Sequence, residues 1–177
     1  MDFEKILLEF RFLLKNLTTK ILKMLTYILY ETLTWVISIA ISIFLISFHI
    51  ISLRKIHFDV INNPDKKVHF HMVRTITFLL LVHTIEIIAY GFLFFLTCDI
   101  FHHGEVIGAK SLFDYFHFSA ASYTSLGFGD LIPVGTARVL AGLEALVGLT
   151  MIGWTVTFTY PYIKVKKNQS KDAVTFF

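Results

Sequence analysis

"TSLGFGD", Thr124 to Asp130, places two glycines around one aromatic residue between hydrophobic runs, and it leaves little side chain to do chemistry. Gly127 and Gly129 can take positive φ, so the backbone here can turn successive carbonyls toward one side of the strand. The run before it, "SLFDYFHFSAASY", opens with Ser111 three residues ahead of Asp114. This is a capping-box pattern with Asp in the usual Glu/Gln place, and it predicts a helix starting at that point. At thirteen residues the run is too short to span a membrane. A short helix, then extended backbone, then a return to the same side describes a re-entrant loop. Non-helical backbone at that depth is tolerated only where protein or a water-filled cavity surrounds it.

The rest of the chain fits that reading. Of 177 residues, 55 % are hydrophobic, and the mean hydropathy of +0.68 exceeds what a soluble fold of this size buries. Leu33–Leu53, Thr75–Cys98 and Val139–Tyr162 are each long enough, at about 1.5 Å per residue, to cross a ~30 Å hydrocarbon core. The first lies too far into the chain and is too long for a cleaved secretory signal. The expected fold class is therefore an all-α integral membrane protein, with three transmembrane helices and a re-entrant loop that opens with a short helix. The single cysteine, Cys98, excludes an intrachain disulfide and any cysteine-based metal cage. A net charge of +3, dispersed toward helix ends, does not suggest nucleic acid.

Lysine and arginine bias the topology. The connector Arg54–Arg74 holds five of them and the tail holds Lys164, Lys166, Lys167 and Lys171, whereas the segment 99–138 holds Lys110 and Arg138 alone. The positive-inside rule puts the connector and tail in the cytoplasm and 99–138 outside. The N-terminus is then also outside, against its own five Lys/Arg, a conflict that a start at Met24 would ease. The expected organisation is an amphipathic segment at 1–23, lying on the membrane or an upstream extension of no fixed role. A first transmembrane helix with its connector occupies 24–74, the two further spans with the re-entrant loop between them 75–163, and a short cytoplasmic tail 164–177.

"SYTSLGFGDLIP" resembles the signature of the potassium-channel pore-loop superfamily, whose filter has the form Thr-Val-Gly-Tyr-Gly-Asp. The resemblance covers roughly residues 75 to 163, as outer helix, pore helix, filter and inner helix. The whole chain is also similar to small bacterial channel-family proteins with one extra transmembrane helix before this unit. It implies a tetramer in which rings of carbonyls replace the hydration shell of a monovalent cation. Ser125, through its hydroxyl, and the carbonyls of Ser125, Leu126, Gly127 and Phe128 would be the ligands along a filter ending at Gly129, with Thr124, Phe128 and Asp130 as support. The chain departs from the pattern at Ser125, Leu126 and Phe128, where threonine, valine or isoleucine, and tyrosine are commoner. Serine keeps the hydroxyl but loses the methyl that restrains its rotamer. Behind the filter, Ala121 stands where several relatives have a carboxylate and His117 where tryptophan is frequent. His117 is therefore expected to hydrogen-bond Asp130, or simply to pack on the pore helix.

In the inner helix, small residues Ala141, Gly142, Ala145 and Gly148 allow close helix approach. The resemblance also places Gly148 and Gly153 at a hinge and aims Leu149, Ile152, Val156 and Tyr160 at the axis, where an apolar ring can gate by dewetting. Within the second span His83 and Glu86 share one helical face, and ionisable groups at that depth face a partner or water. Trp154 is expected to donate to Glu86, with His49 completing the cluster, as a helix-locking network or a proton-sensitive gate. Glu144 is expected to pack behind the pore helix. His69 with His71, and His102 with His103, lack carboxylate or cysteine at ligand spacing and read as loop residues rather than zinc ligands.

These readings converge on a potassium-selective channel, with no enzyme activity, no cofactor besides K+ as permeant ion, and no nucleic-acid partner. Its partners would be membrane lipid and three identical subunits, in a bacterial inner membrane. The first two spans lack the arginine ladder of a voltage sensor. The alternatives are a non-selective monovalent cation channel, a non-conducting membrane scaffold or sensor subunit with a pore-like fold, and, more distantly, an intramembrane metalloenzyme using the histidines.

Overall fold

The structure, a computed structural model, describes residues 3–62, 68–127 and 129–174. Its helices are α1 (Phe3–Asn62), α2 (Val68–Phe95), α3 (Leu112–Tyr123) and α4 (Thr136–Val174). Three of them contain stretches long and apolar enough to cross a membrane: Leu8–Asp59, Met72–Ile100 and Thr136–Tyr160. The chain is a multi-pass, all-helical membrane protein. Each expected span overlaps one of these helices, but the helices run further because their polar flanks continue the same backbone. No helix break marks residue 24, and α1 continues to Asn62 through part of the expected connector.

Two compact units divide the chain, Met1–Ile37 and Ser38–Phe177. In the first, threonine hydroxyls return to the carbonyls four residues back, as Thr19 does to Lys15 at 2.7 Å and Thr26 to Leu22 at 3.1 Å. A polar side chain satisfied in this way sits in apolar surroundings at little cost.

The second unit holds the short helix. At the end of α2 the backbone widens into a π-helical turn, Leu96–Ile100, which buries Cys98. Two three-residue strands follow that the sequence does not announce, β1 (Glu105–Ile107) and β2 (Ile132–Val134). They pair antiparallel with Val106 opposite Pro133. Pro133 has no N–H, and a two-stranded ribbon leaves an edge where none is needed. Because β1 precedes α3 and β2 precedes α4, this ribbon ties together the two ends of the loop that contains α3.

α3 begins where Ser111 and Asp114 predict. The Asp114 carboxylate accepts hydrogen bonds from the Lys110 N–H at 2.7 Å, the Ser111 N–H at 2.8 Å and the Ser111 hydroxyl at 3.0 Å. Its body packs on α2 through edge-on aromatic pairs, Phe94 with Phe118 at 4.9 Å between centroids and Phe95 with Tyr115 at 5.8 Å. Gly91 permits this approach. A Cβ there would lie 2.5 Å from the Phe116 ring and 3.0 Å from the Phe116 Cα, and the backbone cannot yield cheaply. Ser119 donates to the Ile87 carbonyl of α2 at 2.7 Å and lies against Glu144 of α4, while Ser122 donates to the Ala141 carbonyl of α4 at 3.1 Å.

Gly91→Ala should destabilise the fold by about 1–3 kcal/mol, the usual cost of overpacking a tight contact, seen as a lower midpoint in thermal unfolding. The Lys110 and Ser111 donors hold the Asp114 carboxyl below the usual aspartate range. The stability it contributes is therefore complete above about pH 3.9 and lost as pH falls through the lowered value. Between pH 7 and 3 the unfolding midpoint of the native protein should fall more steeply than that of Asp114→Asn.

Candidate functional site

The chain turns as soon as α3 ends. The Thr124 N–H donates to the Ala120 carbonyl at 3.2 Å and Ser125 to Ser122 at 2.9 Å; Leu126 and Gly127 both donate to Ala121, at 2.9 and 3.3 Å. Four successive amides thus point back to the helix. Along the strand φ is +56° at Ser125, +59° at Gly127 and +85° at Gly129, so every second residue is left-handed. Such an alternation can turn successive carbonyls toward one side. The two glycines are needed for their dihedrals and not for space, since a Cβ at either would meet nothing within 4 Å. Ser125 was not foreseen in this conformation; an unbranched side chain enters it with less strain than a β-branched one. The Thr124 hydroxyl caps the helix end by donating to the Ala120 carbonyl at 2.7 Å. Leu126 is 63 % exposed, and Phe128 lies outside the described residues.

Behind the strand, His117 Nε2 stands 3.9 Å from Asp130 Oδ2. That is an ion-pair separation and too long for the expected hydrogen bond. Beside them is a cleft of about 270 Å³, lined by His117, Phe118, Ala121, Ser122, Leu131 and Pro133. The small side chain of Ala121 helps to leave this space open.

The two inner-helix glycines differ. A Cβ on Gly148 would collide with the Tyr123 carbonyl and lie 2.8 Å from the Tyr123 ring, whereas one on Gly153 would meet nothing within 4 Å. Gly148 is a packing glycine, at which the end of α3 rests on α4. Of the residues expected to line a pore, Leu149, Val156 and Tyr160 are each more than 60 % exposed. Ile152 instead packs against the core that includes Tyr90 and Leu140. Glu144, for which the sequence suggested no partner, is fully buried and meets the Ser119 hydroxyl. Its Oε2 has no hydrogen-bond partner among the described residues.

His83 and Glu86 sit in a polar cluster drawn from all four helices. Glu86 Oε1 lies 2.9 Å from His49 Nδ1 of α1, and Glu86 Oε2 accepts from the Tyr123 hydroxyl of α3 at 2.5 Å. His83 Nδ1 is 2.9 Å from the same hydroxyl and 3.2 Å from Glu86 Oε2. Thr155 of α4 closes the group, its hydroxyl 2.8 Å from His49 Nε2 and 3.2 Å from His83 Nε2. Trp154, expected here, has a side chain 55 % exposed; the helix is turned one residue from the expected phase, so Thr155 faces the cluster. Tyr123 was missed, although as the last α3 residue before the turn it links the glycine stretch to the surrounding helices. His49, His83 and Glu86 offer donor atoms within 4.8 Å of one another, a set of the kind that binds divalent cations. Tetrahedral coordination at about 2.0–2.1 Å would hold those atoms roughly 3.3 Å apart, and the direct contacts here are those of hydrogen bonds.

Residues 78–164 match a family model described as ion channel. That span begins in α2, includes α3 and the glycine strand, and ends in α4. No curated protein matches the chain.

Gly148→Ala should cost about 1–3 kcal/mol of stability through its clash with Tyr123, while Gly153→Ala should stay within about 1 kcal/mol of the native protein. Parallel thermal unfolding of the two variants in detergent checks the contrast.

Proposed function

We propose, from the membership of residues 78–164 in the pore-loop ion-channel superfamily, that four copies of this chain surround an axis and pass K+ through a ring-built carbonyl filter. The observation behind this reading is the strand itself, with left-handed φ at Ser125, Gly127 and Gly129 and its amides committed to α3. A single strand offers carbonyls to one side of an ion only. Fourfold closure supplies the remaining sides, so that oxygens substitute for water around a dehydrated cation. The carbonyls of Ser125, Leu126, Gly127 and Phe128, with the Ser125 hydroxyl, would be the ligands and Gly129 the outer end, braced by Thr124, Asp130 and His117.

The C-terminal end of α3, with its partial negative charge, points toward the filter entrance and favours a cation there. Leu149, Val156 and Tyr160 form an exposed stripe on α4 suited to line the conduction path, and an apolar ring of them would close it by dewetting. Bending at Gly153, which no neighbour within the chain crowds, would move that stripe. K+ is the permeant ion, not a resident cofactor, and the reading includes no covalent chemistry. The protein would act in a cell membrane, the bacterial inner membrane in this reading, with residues 99–138 on the outer side. A non-selective monovalent channel is the second reading. It is favoured by the 3.9 Å gap between His117 and Asp130, which braces the filter less firmly than a hydrogen bond.

In planar bilayers with K+ on one side and Na+ on the other, the reversal potential should lie near the K+ equilibrium potential. A value near zero with robust current would favour the second reading. Gly129→Ala should abolish flux in either case, because a left-handed position would gain a Cβ; persistent flux in that variant would exclude a filter built on this strand.

A further inference from the structure

The buried cluster is a closed circuit. Following its contacts, Glu86 meets Tyr123, Tyr123 meets His83, His83 meets Thr155, Thr155 meets His49, and His49 returns to Glu86. Each of the five contacts requires one hydrogen between its two heavy atoms. Tyr123 and Thr155 contribute one each, so His49, His83 and Glu86 must hold three. Two neutral imidazoles and a carboxylate hold only two.

The shortage falls at a definite place. Tyr123 donates to Glu86 Oε2, which makes both Nδ1 atoms donors, His49 to Glu86 Oε1 and His83 to the Tyr123 oxygen and Glu86 Oε2. Both Nε2 atoms then face the single hydroxyl of Thr155. That hydroxyl donates to one of them, and the other must bring its own proton or present a lone pair to a lone pair. Thr155 is committed to this role: Thr150, Thr157 and Thr159 on the same helix turn their hydroxyls onto helix carbonyls, at 2.7, 2.9 and 2.8 Å, whereas Thr155 turns its own to the two histidines. With the third proton present the circuit is fully bonded and electrically neutral, as burial in an apolar span favours. The other ionisable groups acting on it are Tyr90 of α2, hydrogen-bonded to Ser42 of α1, and Glu144 of α4, held at Ser119 of α3.

We propose that His49, His83, Glu86, Tyr123 and Thr155 form a binding site for one exchangeable proton beyond those of two neutral imidazoles, and that this proton ties α1 and α4 to Tyr123, the last residue of α3. Its loss opens the circuit at Thr155, so that the group holding Tyr123 is tied to α4 by one hydrogen bond instead of two. An effect on flux rests on the channel reading above; the proton count does not.

The count is measurable on the full chain in lipid nanodiscs at pH 7, from the ¹⁵N signals of His49 and His83 and the ¹³C carboxyl signal of Glu86. Three protons are expected on these groups. Thr155→Val removes one member and two contacts, so the count should fall to two, and Thr155→Ser should restore three. A native count of two, or a count of three that survives in Thr155→Val, would overturn the site. Raising pH until the spectra show the third proton leaving should change K+ flux in liposomes at the same midpoint in the native protein and not in Thr155→Val. Flux that ignores this step would overturn the coupling, while absence of flux at every pH would count against the channel reading and leave the proton count to decide the site.

Discussion

α3 is only twelve residues long, and the backbone beyond its last turn must find hydrogen-bond partners outside the helix ladder. The arrangement around α3 follows from that constraint. Gly91 of α2 and Gly148 of α4 bring the neighbouring backbones close enough to hold the helix from two sides. Ser119 and Ser122 place hydroxyls on carbonyls of those same neighbours. The strand that follows returns its amides to α3 itself. The donors of Thr124 through Gly127 are thereby used within the chain, and the proposed cation filter rests on this feature.

Polar groups buried in the apolar spans are placed to reinforce the same helix. Leaving any one of them unpaired would cost roughly 1–3 kcal/mol or more, so Glu86 is retained only because His49, His83 and Tyr123 converge on it. Those contacts also show how the part of α1 from Ser38 onward joins the other helices of its unit. From Ser38 onward α1 packs with Leu53 and Ile56 against Leu79, and through His49 and Ser42 it reaches α2 and α4 by hydrogen bonds. This part of α1 is thereby connected, through Glu86, to Tyr123 at the end of α3.

Much of this was legible in the residues. Hydropathy located the three long helices, Ser111 and Asp114 marked the start of α3, and the two glycines announced the left-handed positions that follow. What escaped has a physical pattern. Three-residue strands show no alternation to detect, and Pro133 argues against a strand until its partner is known. Gly91 looks like any membrane glycine until Phe116 is seen against it. Trp154 and Ile152 were assigned from the phase of a helix whose start depends on an unknown linker length, and a shift of one residue exchanges Trp154 for Thr155. Ser125 gave no signal, because its φ is imposed by the hydrogen bonds of Leu126 and Gly127 rather than by its own side chain.

A single chain leaves the glycine strand and the Leu149, Val156 and Tyr160 stripe uncovered, and both acquire a purpose when copies close around an axis. The most direct measurement is the native mass of the complex released from lipid nanodiscs. Four times the 20.4 kDa chain is expected. A stable monomer, or a dimer with no larger species, would contradict the account, because neither can surround an ion with one strand per chain.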